Sequence, residues 1–63
     1  MLDFTVPDMS CNHCVKAITE AIRKVDSHAE LNFDLEHKKV AITTIAPEPT
    51  VVDALRDAGY PPA

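Results

Sequence analysis

The chain has 63 residues, 46% of them apolar, with ten acidic against six basic side chains and a formal net charge of −4. That length fits one small domain, 1–63, and a core so small cannot be hollowed into an enclosed pocket of about 300 Å³ or more without losing what holds it together. Function is therefore expected on the surface, and the acidic balance argues against a nucleic-acid partner: the bases Lys16, Arg23, Lys24, Lys38, Lys39 and Arg56 are scattered, and one Tyr and two Phe make no stacking platform.

Leu2, Phe4 and Val6 alternate with Asp3 and Thr5, the period of a strand with one buried face, and Pro7-Asp8 ends it. After the cysteines, Ile18, Ile22 and Val25 recur at helical spacing among polar residues, predicting an amphipathic helix from about Asn12 to Val25, capped by Asn12 or Ser10. Leu31, Phe33 and Leu35, then Val40 and Ile42, predict a hairpin around the polar turn Glu36-His37-Lys38-Lys39. Ala46-Pro47-Glu48-Pro49 reads as a rigid connector, and Thr50 as the cap of a short helix that turns Val51 or Val52, Leu55 and Ala58 inward. Gly59, the only glycine, fits the left-handed position after a helix end. The order β, α, β, β, α points to an α+β, ferredoxin-like βαββαβ open-faced sandwich. Its last strand would be very short or absent, because Pro61 and Pro62 cannot donate ladder hydrogen bonds.

No apolar run approaches the roughly 20 residues of a bilayer span, and the start lacks the charged head and apolar stretch of a signal peptide. The chain is expected to be cytoplasmic and not membrane-embedded. In that reducing compartment, Cys11 and Cys14 in a C-x-x-C spacing read as a metal or redox site rather than a structural disulfide. The run Met9-Ser10-Cys11-Asn12-His13-Cys14 falls between a strand end and a helix start, so Cys11 is expected in a loop and Cys14 in the first helical turn. The partial positive charge of a helix N-terminus favours the thiolate, which is the form that ligates. Two thiolates without a third strong donor suit a soft, low-coordinate ion, and among biological metals softness selects Cu(I).

Thioredoxin-like oxidoreductases use the same spacing at a similar junction, but in a longer chain with a central buried sheet that this order of elements does not provide. The c-type haem pattern fails, since Val15 follows Cys14. Met9 reads as a core residue supporting the loop, with its thioether as an alternative soft ligand. His13 reads as an exposed neighbour whose ring nitrogen is the alternative third donor. Lys16, with Asn12 and His13, reads as solvated helix surface or as the rim of a docking contact.

Met9-x-Cys11-x-x-Cys14, the run Cys14-Val15 with Ile18 and Ile22, the hairpin residues Leu35, Val40 and Ile42, and Ala58-Gly59-Tyr60 together resemble the heavy-metal-associated domain family, in particular its small bacterial cytosolic copper chaperones. The resemblance covers nearly the whole chain. It implies that Cys11 and Cys14 ligate Cu(I), that Met9 supports the loop, and that Tyr60 closes over it. It further implies that the chain is not an enzyme. Its expected role is to deliver copper by thiolate exchange to the metal-binding domains of a copper-transporting P-type ATPase, as a monomer or a metal-bridged homodimer.

The chain departs from the family pattern at Asp8, where glycine is common, and at Asp26-Ser27-His28 after the first helix. A carboxylate near the thiolates would favour a harder ion, so a zinc or mercury module on the same site stays an alternative beside the small thiol-disulfide oxidoreductase. Zinc-handling relatives typically carry the acid directly before the first cysteine, where this chain has Ser10.

Overall fold

The alternation of apolar and polar residues sets the sheet. In a computed structural model that describes residues 2–10 and 12–63, three strands form one antiparallel sheet: β1 (Leu2–Thr5), β2 (Glu30–Asp34) and β3 (Lys39–Thr43), ordered β1-β3-β2. Leu2 pairs with Ile42 and Phe4 with Val40 across β1 and β3, and Leu31 pairs with Ile42 and Phe33 with Val40 across β2 and β3. One face of the sheet is thereby apolar. Asp3, Thr5, Glu30, Asn32, Lys39 and Thr43 leave the other face polar and exposed.

Two helices, α1 (Asn12–Val25) and α2 (Glu48–Asp57), complete the βαββα order, the ferredoxin-like α+β arrangement expected from the sequence. Cys14, Ile18 and Ile22, four residues apart on α1, and Val51 and Leu55 on α2 join Phe4, Val6, Met9, Ala29, Val40 and Ile42 in the core. Each fully buried Val, Ile or Leu contributes about 1.5–3 kcal/mol from its removal from water. The expected inward row on α1 needs one correction: Val25 is 39% exposed. It closes the helix beside α2, off the line that the residues at spacing four draw through the core.

Asn12 is the first helical residue of α1 and Ser10 lies two residues upstream, while the flanking position 11 lies outside the described residues. The cap expected for α2 is also corrected. α2 starts at Glu48, so Thr50 lies inside it rather than capping it. Pro47 is the flanking residue, at φ −63° and ψ 147°, and its carbonyl accepts from the Thr50 and Val51 N–H groups. Pro49 falls in the first turn, where a missing N–H donor costs nothing and a fixed φ suits the helix.

The far end of α2 follows the sequence. Gly59 takes φ 89° and donates to the Arg56 carbonyl, while the Tyr60 N–H donates to that of Leu55, the paired bonds of a Schellman end. Among the described residues no strand follows α2, but the tail lies beside β1, where the Ala63 N–H donates to the Thr5 carbonyl at 2.7 Å. The expected stub survives as this single bond.

The hairpin turn falls at residues 35–38, one residue earlier than expected, since Lys39 already belongs to β3. Asp34 shapes the turn by accepting from the His37 backbone N–H at 3.2 Å and from its Nδ1 at 2.8 Å. Lys38 sits in the left-handed region at φ 57°. A side chain there costs about 1 kcal/mol relative to glycine.

Asp26 ties the end of α1 to the segment after β3. One oxygen accepts from the His28 N–H at 3.0 Å; the other accepts from the Thr44 hydroxyl at 2.7 Å and from the Ile45 N–H at 3.4 Å. The Thr44 hydroxyl, followed by the His28 N–H, holds the Asp26 carboxyl below the usual carboxylate range, and the His37 side chain and then its backbone do the same for Asp34. A carboxyl with a lowered folded pKa stabilises above its unfolded pKa of about 3.9 and loses that contribution as pH falls through the folded value. The melting temperature of reduced, metal-free protein should therefore drop below about pH 4. Asp26→Asn should flatten part of that acid slope. A variant melting curve parallel to wild type from neutral pH into acid would show that Asp26 is not a source of it.

Candidate metal centre

The site is built where β1 ends and α1 begins. The Met9 N–H donates to the Val6 carbonyl at 3.0 Å, closing a turn over Pro7 and Asp8. Met9 is fully buried and anchors this loop to the core. Cys14, the third residue of α1, is 6% exposed and its Sγ lies 3.8 Å from the Asp8 carbonyl oxygen, so its thiol sits between the helix N-terminus and the loop. Cys11, the other expected ligand, lies outside the described residues.

Asp8 meets Cys14 through its main-chain carbonyl, and the residue is exposed. A main-chain carbonyl brings no formal charge to the thiol at this contact. Asn12, His13 and Lys16 are all exposed on the first turns of α1, the placement expected of a solvated face or a docking rim. Tyr60 is half-buried and packs against the core, in the tail that runs back along β1.

Lys38 is a contributor that the sequence reading passed over as one scattered base. Its Nζ donates to the Met9 carbonyl at 3.1 Å, 29 residues away in the chain. A topological signal for it existed. Antiparallel pairing of Thr5 with Lys39 brings the residues just before β3 beside those just after β1.

Two other features lie apart from this loop. Ligand atoms of Asp34, Glu36 and His37 lie within 4.8 Å of one another, but all three residues are exposed and Asp34 already accepts from His37. A groove of about 590 Å³ runs between α1 and α2, lined by Ala17, Ala21, Val25, Asp53 and Ala54 among others, and includes neither Met9 nor Cys14. Judged by donor type, the soft ligand among the described residues is the buried thiol at the loop.

Residues 3–61 match the heavy-metal-associated domain family. The chain belongs to that family. Among members of the heavy-metal-associated domain family and its structural neighbours, the chain is 36% identical over 58 residues to the copper chaperone CopZ of Bacillus subtilis, covering 87% of this chain and 84% of the relative. It superposes with a TM-score of 0.95 on the copper chaperone Atx1 from Synechocystis PCC6803, at 33% identity and full coverage of both chains. A gold-binding protein also shares the fold, with a TM-score of 0.92, 27% identity, and coverage of 98% and 95%. CopZ and Atx1 are metal-trafficking proteins and not enzymes. No helix among the described residues is long and apolar enough to cross a membrane.

Proposed function

We propose that this chain, as a single domain over 1–63, is a cytoplasmic Cu(I) metallochaperone that holds one ion between the thiolates of Cys11 and Cys14. It passes the ion by thiolate exchange to the metal-binding domains of a copper-transporting P-type ATPase. The observation that carries this reading is the Cys14 thiol in the first turn of α1, against a loop anchored by buried Met9, in a chain whose relatives are copper chaperones. A soft cargo suits a soft donor pair, and a neighbour of the same fold that binds gold supports that match. Exchange is cheap at low coordination, because an incoming thiolate adds before another leaves. The same exchange accounts for either a free monomer or a metal-bridged homodimer.

Asn12, His13 and Lys16 form the rim that meets the partner's loop, being exposed beside the site. The test is transfer of Cu(I) from loaded protein to a C-x-x-C metal-binding domain, followed across a salt series. Lys16→Glu should slow transfer roughly tenfold at low salt through the association rate, with the difference fading as salt rises. Rates unaffected by either salt or the reversal would remove Lys16 from the contact. No transfer, with insulin reduction at thioredoxin-like rates instead, would replace the chaperone reading with a redox one.

Tyr60 closes over the loop and shields the metal. Supporting this, its backbone is fixed by the Schellman end of α2, and the tail that follows is bonded to the end of β1 from which the loop departs. A hydroxyl donor beside a copper dithiolate offsets part of its negative charge, at about 1 kcal/mol. Tyr60→Phe should keep the fold and release copper a few times faster. Nuclear magnetic resonance shifts at Cys11 and Cys14 that ignore Tyr60→Ala would place the ring elsewhere.

A further inference from the structure

We propose that Lys38 is a positioning residue for the metal loop, holding the turn at residues 6–9 at both of its ends. The Lys38 carbonyl accepts the Val6 N–H at 2.7 Å, and the Lys38 ammonium donates to the Met9 carbonyl at 3.1 Å. Val6 and Met9 are the residues that the turn's own hydrogen bond joins, at 3.0 Å. One residue of the hairpin thus binds the first and the last residue of the turn that leads into Cys11.

The left-handed backbone of Lys38 gives this arrangement its reason. At φ 57° a glycine would be cheaper, yet the chain places there a side chain long enough to cross to the loop. The contact is a charge-assisted bond to a carbonyl, stronger than a neutral one. Its partner, Met9, is fully buried, so the two ends of the loop support are complementary: the side chain of Met9 is gripped by the core and its carbonyl by Lys38. The ammonium also leaves a fixed positive charge beside a loop that carries a negative one when two thiolates hold Cu(I). This role rests on the reading of Cys11 and Cys14 as the ligands.

Three variants separate the clamp from the fold. Lys38→Met keeps the length and removes the donor, Lys38→Gly also relaxes the backbone, and Lys38→Arg restores a cationic donor. In reduced, metal-free protein, amide hydrogen exchange at Met9 and Ser10 should quicken about threefold to tenfold in Lys38→Met and Lys38→Gly, the range of one net hydrogen bond. Exchange at Ile18 and Ile42 should not change, and Lys38→Arg should return Met9 and Ser10 toward wild type. Loss of Cu(I) to a chelator should accelerate by a similar factor in the same two variants. Wild-type exchange at Met9 and Ser10 in both would overturn the proposal, and so would wild-type copper loss despite faster exchange. If Cys11→Ser with Cys14→Ser retained copper, the thiolate reading would fall, and the exchange measurements would still decide the clamp.

Discussion

Replacing Cys14 with serine should lower Cu(I) affinity by more than about 100-fold, beyond the 10–100-fold that loss of an outer partner of a metal site typically costs. A hydroxyl is a hard, neutral donor at pH 7, so the soft ion loses both an anionic partner and the match in polarisability. Cys11→Ser should have the same effect, and about one Cu(I) per monomer should bind to wild type with loss of free thiol. The serine at position 14 enters a buried site, but its hydroxyl retains a donor for the Asp8 carbonyl that the Cys14 thiol now faces. The metal-free variant should therefore stay folded by circular dichroism. Chelator competition with Cu(I), repeated with Zn²⁺, reads both the ligand set and the metal preference. Wild-type copper affinity in either single variant would rule out a two-thiolate site.

Met9→Ala should cost about 2–5 kcal/mol of stability, the range for deleting a large buried apolar side chain. That is a large share of what a core this small supplies, so much of the variant should be unfolded at 37 °C. Met9→Leu, which nearly conserves volume, should cost less than about 1.5 kcal/mol and keep copper binding close to wild type. The pair of variants separates packing from ligation because leucine fills the space without offering sulfur. Met9 is fully buried, which favours the packing role. Copper loss in Met9→Leu as deep as in Cys14→Ser, in a protein that melts normally, would make the thioether a ligand instead.

Local pattern by itself determined the elements and marked the candidate pair of ligands. The bounds of α1, Asn12 to Val25, follow from the spacing of its apolar residues, and the three strands from alternation with period two. Gly59 marks the end of α2 because a left-handed residue after a helix strongly favours glycine. The C-x-x-C pair announces itself in the chain because both cysteines lie within one turn of helix spacing. Cap positions were less legible, since Thr50 has cap chemistry but the flanking position falls on Pro47, which makes no side-chain cap bond.

Only the tertiary structure decided which distant residues serve the loop. The Lys38 ammonium reaches Met9, and Asp26 takes the hydroxyl of Thr44, across 29 and 18 residues of sequence. Neither pair leaves a periodic trace, because a hydrogen bond between loops depends on how the strands register and not on local spacing. Val25 shows the same limit from the apolar side: its spacing suits an amphipathic helix, yet 39% of it stays exposed because it lies off the line that Cys14, Ile18 and Ile22 draw through the core. The antiparallel pairing of β1 with β3, which ends on Thr5 and Lys39, is the step between the two levels, since it sets the β2–β3 turn against the strand end from which the metal loop springs.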